Sequence, residues 1–364
     1  MMNLFGGVYR NKKVLVTGHT GFKGSWLLYW LTSMGAQVKG IWLEPATDPA
    51  HIQLLQSEYD SEIVNINDRE KLESSMLSFN PEIIFHLAAQ ALVRASYDDP
   101  AETYMTNVMG TVNILDVSRK LKDLKAVIIV TSDKCYDNKE WIWGYRENDP
   151  MGGKDPYSSS KGCAELVTAA WRHSFFNVSE YGDKHKVLVA SVRAGNVIGG
   201  GDWAADRIVP DIIRAMIAGE TLYLRYPHAT RPWQHVLEPL SGYLSLGWQL
   251  LLGKKEFADG WNFGPDIQNN VTVKDLVTAA ASFWPSIQYE VKSGNFPHEA
   301  GYLMLDSTKA KKLLNWNTVW DFTETVKHTI HWYRKFYEEK AIQTPEDLEQ
   351  FIHDAGRRSL PWTK

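Results

Sequence analysis

The sequence contains little cysteine and no long apolar run. Its 364 residues include 2 cysteines, Cys135 and Cys163, which are too few for a disulfide framework and fit a reducing compartment. No spacing of histidine and cysteine resembles a zinc site, so we expect no metal. The first residues lack the apolar core of a signal peptide, and no stretch approaches the roughly 18 apolar residues of a membrane span. These absences predict a cytoplasmic protein without a membrane partner.

An excess of charge of one sign is also missing. The formal net charge is -4, from 39 Lys and Arg against 43 Asp and Glu, and the basic residues are scattered along the chain. This distribution weighs against a nucleic-acid partner. The chain is nevertheless 44% hydrophobic, with 15 Trp and 16 Tyr, so it can bury a large core. Its length favours two domains.

Short apolar runs alternate with segments of helical period over the first half of the chain. The runs occupy residues 12–18, 36–43, 62–66, 82–89, 125–132 and 185–192, and the helical segments 22–34, 69–79, 102–120 and 156–176. Continuously apolar strands are buried on both faces, and this alternation predicts parallel strands joined by right-handed crossovers. We therefore predict an α/β fold, a doubly wound Rossmann-type parallel sheet with a smaller C-terminal α/β substrate domain.

Three glycines follow the first strand at a spacing of three. Gly18 would allow a tight turn, Gly21 the close approach of a pyrophosphate, and Gly24 the packing of a helix against the strand. An anion would then lie at the positive end of the helix dipole. This context predicts dinucleotide binding by the turn, including Thr20, Phe22 and Lys23. The alternative is a turn with a purely structural role.

The expected acid for the adenosine ribose is out of place. Trp42 occupies its usual position, and Glu44 comes two residues later. Because no arginine lies nearby to hold a 2′-phosphate, NAD is favoured over NADP. Asp68 could bond the adenine or, equally well, cap a helix.

Tyr157 and Lys161 lie four residues apart after the fifth strand. Asp155 as N-cap and Pro156 at the first helical position predict a helix here, so the two side chains share one face. A nearby ammonium favours the phenolate and is expected to lower the pKa of Tyr157 towards the working pH. The pair could then take a proton from an alcohol while hydride leaves for a nicotinamide.

These motifs together resemble the extended short-chain dehydrogenase/reductase family. The motifs are TGxxGFxG (17–24), HLAAQ (86–90), a serine after the fifth strand and YSSSK (157–161). The resemblance implies that Ser132 bonds the sugar 4-hydroxyl, Tyr157 is the base and Lys161 holds the nicotinamide ribose. It also places Leu87, Ala88, Ala89 and Asn107 at the cofactor. Residues 1–197 would form the NAD-binding domain and 198–364 the nucleotide-sugar domain, with a segment near 236–265 returning to the first.

The residues after Ser132 indicate a dehydratase. Thymidine-linked glucose dehydratases of the family carry an Asp–Glu pair there, and this chain has Asp133 and Lys134. With residues 139–162 and 199–211, the pair resembles the subgroup that converts CDP-glucose to CDP-4-dehydro-6-deoxy-D-glucose for deoxysugar synthesis. The resemblance implies internal NAD redox, in which C4 is oxidised, water leaves across C5 and C6, and C6 is reduced. Lys134 would act as the C5 base or as an electrostatic stabiliser. The alternatives are a nucleotide-sugar 4-epimerase and a non-catalytic dinucleotide sensor.

Donors for the substrate diphosphate and sugar are expected mostly after residue 190. Arginine binds phosphate through a planar fork, although each arginine alone could equally form a surface ion pair. The predicted substrate residues are Arg94, Arg193, Asn196, Arg207, Arg231 and His235. By resemblance we also expect a homodimer or homotetramer that pairs through helices 102–120 and 156–176.

Overall fold

A seven-stranded parallel sheet forms the centre of the computed structural model, which describes residues 1–266, 270–291 and 302–364. The strand order is β11-β6-β5-β4-β1-β2-β3, and every neighbouring pair is parallel. The strands are β1 Lys13–Thr17, β2 Gln37–Trp42, β3 Asp60–Ile63, β4 Ile83–His86, β5 Ala126–Val130, β6 Leu188–Ala194 and β11 Gly260–Phe263. The predicted doubly wound Rossmann-type fold is confirmed.

Helices cover both faces of this sheet. One layer contains α3 Arg69–Phe79, α4 Val93–Asp98, α5 Pro100–Tyr104, α6 Gly110–Ser118 and α7 Pro156–Ser174; the other contains α1 Phe22–Ser33, α9 Leu237–Leu251, α12 Phe322–Glu339 and α13 Thr344–Arg357. Each layer buries its own apolar cluster against the sheet, and the second cluster extends into the C-terminal region. Burial on both faces explains why the strand sequences are continuously apolar.

Short elements fill the rest of the C-terminal half. They are β7 Val197–Ile198, α8 Ile208–Ala218, β8 Leu222–Leu224, β9 Thr230–Pro232, β10 Gln234–His235, β12 Asn270–Thr272, α10 Val273–Phe283, β13 Tyr289–Val291 and α11 Thr308–Leu313, with α2 His51–Leu54 in the first half. Three two-stranded pairs join them, β7 with β10, β9 with β12 and β8 with β13. In the part of the chain that the structure describes, no helix is long and apolar enough to cross a membrane.

One predicted helix is interrupted. The segment predicted at residues 102–120 is α5, then a π-helical stretch Met105–Met109, then α6. The stretch contains the buried side chain of Asn107, which bonds to Gln90 and Ser160. A π turn of this kind is common where a helix places a functional side chain. Sequence period alone does not reveal such an insertion.

Candidate active site

The glycine turn brings β1, the β4 end and α1 into close contact. Gly18 has φ +74°, and a Cβ there would lie 2.6 Å from the backbone nitrogen of Ala88. A Cβ on Gly24 would lie 2.1 Å from the carbonyl oxygen of Gly18. Glycine is therefore required at both positions, at Gly18 for the left-handed conformation and at Gly24 for helix packing.

The amino end of α1 is left without a side-chain cap. Its N-cap residue is Gly21, and its first turn contains no acid. By contrast, α3 and α7 begin with Asp68 and Asp155, whose carboxylates accept from Lys71 N and Ser158 N. Uncapped N–H groups and the helix dipole favour an anion at the start of α1. The turn therefore fits a pyrophosphate, as a bound NAD would supply.

The other residues predicted at the cofactor lie around the same crevice. Thr20 Oγ1 donates to Leu43 O at 3.3 Å, and Leu87 and Ala88 continue from β4 beside Gly18. Asn107 holds the segment after β4, because it accepts from Gln90 N at 2.9 Å and donates to Ser160 Oγ at 2.8 Å. Its side-chain atoms are therefore used within the protein.

Asp68, one of the predicted cofactor residues, caps a helix. Its carboxylate accepts from Lys71 N at 3.2 Å and pairs with the Lys71 ammonium at 3.0 Å. The hydrogen bond and charge of Lys71 hold the pKa of Asp68 below its usual value. Of the two readings of this acid, the geometry favours the cap over the adenine contact.

A short turn after β5 carries the predicted acid and its neighbours. Asp133–Cys135 form one 3-10 turn, and Ser132 Oγ donates to Asp133 Oδ1 at 2.9 Å and accepts from Lys134 N at 3.2 Å. Asp133 is 2% exposed, and its Oδ2 is buried without a hydrogen-bond partner among the described residues. Lys134 is half-buried. The turn thus presents one carboxyl oxygen that no described side chain satisfies, which is unusual for a buried acid.

The first turns of α7 place Tyr157 and Lys161 beside this acid. Burial raises the pKa of Tyr157 to about 12, against the opposing effect of a hydrogen bond with Ser132. Burial lowers the pKa of Lys161 to about 8, opposed by the carboxylate of Glu165, and its Nζ lies 3.4 Å from Val130 O. We predicted a lowered pKa for Tyr157. The direction is reversed because desolvation of the phenolate, together with the charge of Asp133, outweighs the Ser132 hydrogen bond and the charge of Arg207.

The charge of Lys23 interacts with that of Asp133 in the turn after β5. Burial, together with the charges of Arg207 and Lys161 and against that of Asp133, lowers the pKa of Lys23 to about 8. The sequence assigned Lys23 to the cofactor because of its place in the glycine turn. The structure adds that its ammonium is close to Asp133, so the cofactor turn and the acid share one electrostatic environment.

Arg193, predicted to bind substrate, is instead part of the core. Its Nε and Nη2 donate to the two carboxylate oxygens of Glu165 at 2.8 and 2.7 Å, and Nη1 donates to Tyr136 Oη and Glu147 O. Arg193 and Glu165 side chains are 5% and 4% exposed. Each nitrogen of the guanidinium is engaged, so we correct the prediction and assign Arg193 to anchoring α7 on β6.

His235 is likewise buried, with 0% exposure. Its ring packs edge-on against Trp26 and Trp320, at centroid distances of 5.8 and 4.8 Å. Burial lowers its pKa well below the usual range, so it is neutral. An enclosed neutral ring cannot attract a diphosphate, and we correct this prediction also.

The remaining substrate candidates are partly accessible. Arg94 pairs with Asp206, and Arg207 Nη1 donates to Asp202 Oδ2 at 2.8 Å. Asn196 is half-buried beside β7, and Arg231 lies on β9, where its Nη1 donates to Thr230 O at 2.8 Å. These four side chains remain predictions as substrate ligands.

Two acids important to this arrangement were missed from the sequence. Glu165 follows Lys161 by four residues on α7, a spacing that puts both on one face and could have revealed it. Asp202 is 5% exposed and holds Arg207. No sequence signal distinguished it from the other polar residues of its loop.

Comparison with known proteins agrees with this geometry. Residues 15–329 match the family described as GDP-mannose 4,6 dehydratase. A CDP-glucose 4,6-dehydratase of Salmonella typhimurium is 52% identical over 354 residues, which cover 96% of this chain and 98% of that protein. The structure of DesIV, a dTDP-glucose 4,6-dehydratase from Streptomyces venezuelae with NAD and TYD bound, has a TM-score of 0.73 at 20% identity, covering 89% of this chain and 97% of that one. A UDP-glucose 4-epimerase from Thermotoga maritima has a TM-score of 0.77 at 22% identity, covering 89% and 99%. Both structures share the fold described above.

Proposed function

The chain belongs to the GDP-mannose 4,6 dehydratase family, and on this premise we propose that it converts CDP-D-glucose to CDP-4-dehydro-6-deoxy-D-glucose and water. It is a lyase of the extended short-chain dehydrogenase/reductase type, with NAD as its cofactor. The predicted resemblance to nucleotide-sugar dehydratases is confirmed. The observation that carries the reaction is Asp133, a buried carboxyl at the edge of the crevice with one oxygen unsatisfied by any described residue.

The cofactor and the chain have separate tasks in this reaction. NAD, when bound, would supply the hydride acceptor for the oxidation of C4 and, once reduced, the hydride donor for the reduction of C6. Tyr157 takes the proton of the 4-hydroxyl, which Ser132 orients, and the resulting ketone acidifies the C5 proton. Asp133 gives a proton to the 6-hydroxyl, so that this group leaves as water. Lys161 would hold the ribose of the cofactor. The hydrogen bond with Ser132 and the charge of Arg207 oppose the burial that raises the pKa of Tyr157.

Lys134 accepts the C5 proton or stabilises the enolate by its charge. Either role fits a half-buried lysine one residue beyond the acid, as the neutral amine if it is the base and as the ammonium if it stabilises charge. We expect Lys134→Met to lower the rate of water loss if Lys134 is the base or stabilises the enolate. A rate unchanged at all pH values would contradict both roles. The measurement is the initial rate of water loss across a pH series.

The reaction itself is tested with CDP-glucose carrying deuterium at C4. After incubation with NAD+, the product is expected to have lost one water and to carry deuterium at C6, as read by mass spectrometry and NMR. Deuterium absent from C6, or a product of unchanged mass, would contradict the dehydratase. A 4-epimerase, the alternative within the same fold, gives a product of unchanged mass.

Asp133→Asn separates the elimination from the first oxidation. We expect about a 10²–10⁴-fold slower loss of water, the usual effect of removing a general acid, while reduction of the cofactor by substrate persists in a single turnover. Asp137→Asn is the matched control, because Asp137 lies four residues further on and pairs with Lys139 at 2.6 Å in the following loop. Equal effects of the two substitutions would exclude Asp133 as the acid.

We further propose that residues 1–197 bind NAD, that residues 198–364 bind the nucleotide sugar, and that the protein is a cytoplasmic homodimer or homotetramer. Exposed large apolar side chains on the helices at residues 102–120 and 156–176 support pairing through these helices. They are Tyr104, Met105, Met109 and Leu166. Sedimentation velocity of the wild type and of Leu166→Glu tests this. A monomeric wild type would contradict it.

A further inference from the structure

Residues 199–207, between β7 and α8, form a connecting segment whose first part is held on two sides. Trp26 Nε1 of α1 donates to the carbonyl oxygen of Gly200 at 2.9 Å. On the other side, a Cβ on Gly200 would lie 1.9 Å from the ring of Trp332, so α12 is in direct contact. The segment therefore starts from a fixed point between the cofactor helix and the C-terminal helices.

Asp202 is the most heavily bonded residue of this connecting segment. Its backbone nitrogen donates to Tyr333 Oη at 3.0 Å, and the same hydroxyl donates to its carbonyl oxygen. Its carboxylate accepts from Ala204 N at 3.1 Å through Oδ1 and from Arg207 Nη1 at 2.8 Å through Oδ2. Asp202 thus ties Arg207 to α12, and none of its bonds goes to Ser132, Asp133, Tyr157 or Lys161.

Arg207 differs from the buried Arg193 in how its donors are used. A guanidinium has five N–H donors, and within the described ranges only Asp202 accepts from that of Arg207. Its side chain is 34% exposed, and its charge acts on Tyr157 and Lys23. Arg193, by contrast, has each nitrogen engaged. An arginine with one nitrogen hydrogen-bonded and its other N–H donors unused is arranged to bind an anion at the crevice.

We propose that Asp202 is a positioning residue, which acts through Arg207 by holding the guanidinium beside Tyr157 with its remaining donors directed to the substrate diphosphate. An arginine side chain loses much rotamer entropy when it binds an anion. If a fixed carboxylate already restricts the side chain, binding costs less of this entropy. The identity of the anion rests on the proposed function. The positioning of Arg207 by Asp202 rests only on the hydrogen bonds of Asp202.

The test compares Asp202→Ala, Arg207→Gln and the double variant with the wild type. The measurements are KM and kcat for CDP-glucose and the Kd of CDP by calorimetry in the presence of NAD+. We expect KM and Kd to rise about tenfold to a hundredfold in each single variant, the effect of a lost charge-assisted hydrogen bond, with kcat within about threefold. The double variant is expected to be no weaker than Arg207→Gln alone, because both changes remove one interaction.

Two further variants separate positioning from folding. Asp202→Asn keeps the shape and one acceptor oxygen, so it is expected to fold and to show a smaller rise in Kd. Asp116→Ala removes a carboxylate that pairs with Arg119 at 2.9 Å on α6, and it is expected to leave both constants unchanged. If Asp202 were only structural, kcat would fall with the active fraction while KM and Kd stayed constant, and this result would overturn the proposal.

Failure of the positioning role and failure of the proposed function give different results. Two results would show that Asp202 does not act through Arg207 although the wild type dehydrates CDP-glucose. In one, the Kd of CDP is the same in all variants; in the other, the loss of CDP binding free energy in the double variant equals the sum of the losses in the two single variants. If the Kd responds as expected but the wild type releases no water from CDP-glucose, the positioning role stands and the dehydratase assignment fails.

Discussion

Replacing Arg193 by methionine is expected to destabilise the protein much more than it weakens substrate binding. The substitution leaves the Glu165 carboxylate buried on α7, with only the hydroxyls of Thr131 and Ser191 as hydrogen-bond donors among the described residues. Burial alone would raise the pKa of Glu165, and it is the charge and hydrogen bonds of Arg193 that hold this pKa below its usual value. Without the arginine, the carboxylate is an uncompensated buried charge.

The size of the effect follows from the burial of both partners. The side chains are 5% and 4% exposed, so solvent does not screen the pair. Removing one partner of such a pair costs about 3–5 kcal/mol, whereas replacing both by apolar residues is often neutral. Against a typical total of roughly 5–15 kcal/mol, Arg193→Met should remove about a fifth or more of the unfolding free energy. Arg193→Met with Glu165→Leu should recover most of it.

Urea unfolding measures this directly, because the 15 tryptophans give a strong fluorescence signal. The wild type, both single variants and the double variant are compared at constant m-value, and the Kd of CDP is measured for each folded variant. A loss below about 1 kcal/mol for Arg193→Met, together with a large rise in the Kd of CDP, would refute the structural role. It would restore the substrate role that the sequence suggested.

Two other substitutions test the cofactor turn and a buried acid. Gly24→Ala should reduce NAD+ affinity at least about tenfold, because its Cβ would lie 2.1 Å from Gly18 O. Calorimetry measures this affinity. The control is Gly356→Ala, because a Cβ at Gly356 meets nothing within 4 Å. Unchanged affinity would show that the turn can relax. Glu238→Gln should flatten the pH dependence of stability, because burial raises the pKa of Glu238 to about 8, against the hydrogen bonds from the backbone at residues 319 and 320. The folded chain holds the Glu238 proton more tightly than the unfolded chain, so the contribution of Glu238 to stability should fall by a few kcal/mol as pH rises from about 4.5 to 8. Urea midpoints of the wild type and Glu238→Gln that change with pH in parallel would contradict the reasoning.

Most of the fold could be predicted from the sequence because its signals are local. The apolar runs, the glycine spacing and the caps at Asp68 and Asp155 lie within a few residues of the elements they define. The main sheet and α1, α3 and α7 were therefore predicted to within a few residues. The helix α9 was missed because it is buried nearly all round, so its sequence has little amphipathic period.

The candidate site was predictable only in part, because its chemistry depends on contacts between distant residues. Ser132, Asp133 and Tyr157 follow from their place after strands and at a helix start. The reversal of the Tyr157 pKa depends on burial, which no spacing reveals. The burial of Arg193 depends on its contact with Glu165. The burial of His235 depends on its contact with Trp320, which comes 85 residues later in the sequence. Each mistaken assignment treated a polar residue as exposed because its partner was far away in the sequence.

The edge strand β11 also affects how the chain can be made. Gly260–Phe263 pairs with β6, Leu188–Ala194, so β6 emerges from the ribosome long before its partner exists. Until residue 263 has been synthesised, β6 is an open apolar edge, and such edges pair readily with other chains. A nascent chain paused in this interval, or one truncated near residue 197, would need a chaperone to cover the edge. Slow translation between these points therefore carries an aggregation risk from the open edge of β6, which pairing with β11 removes.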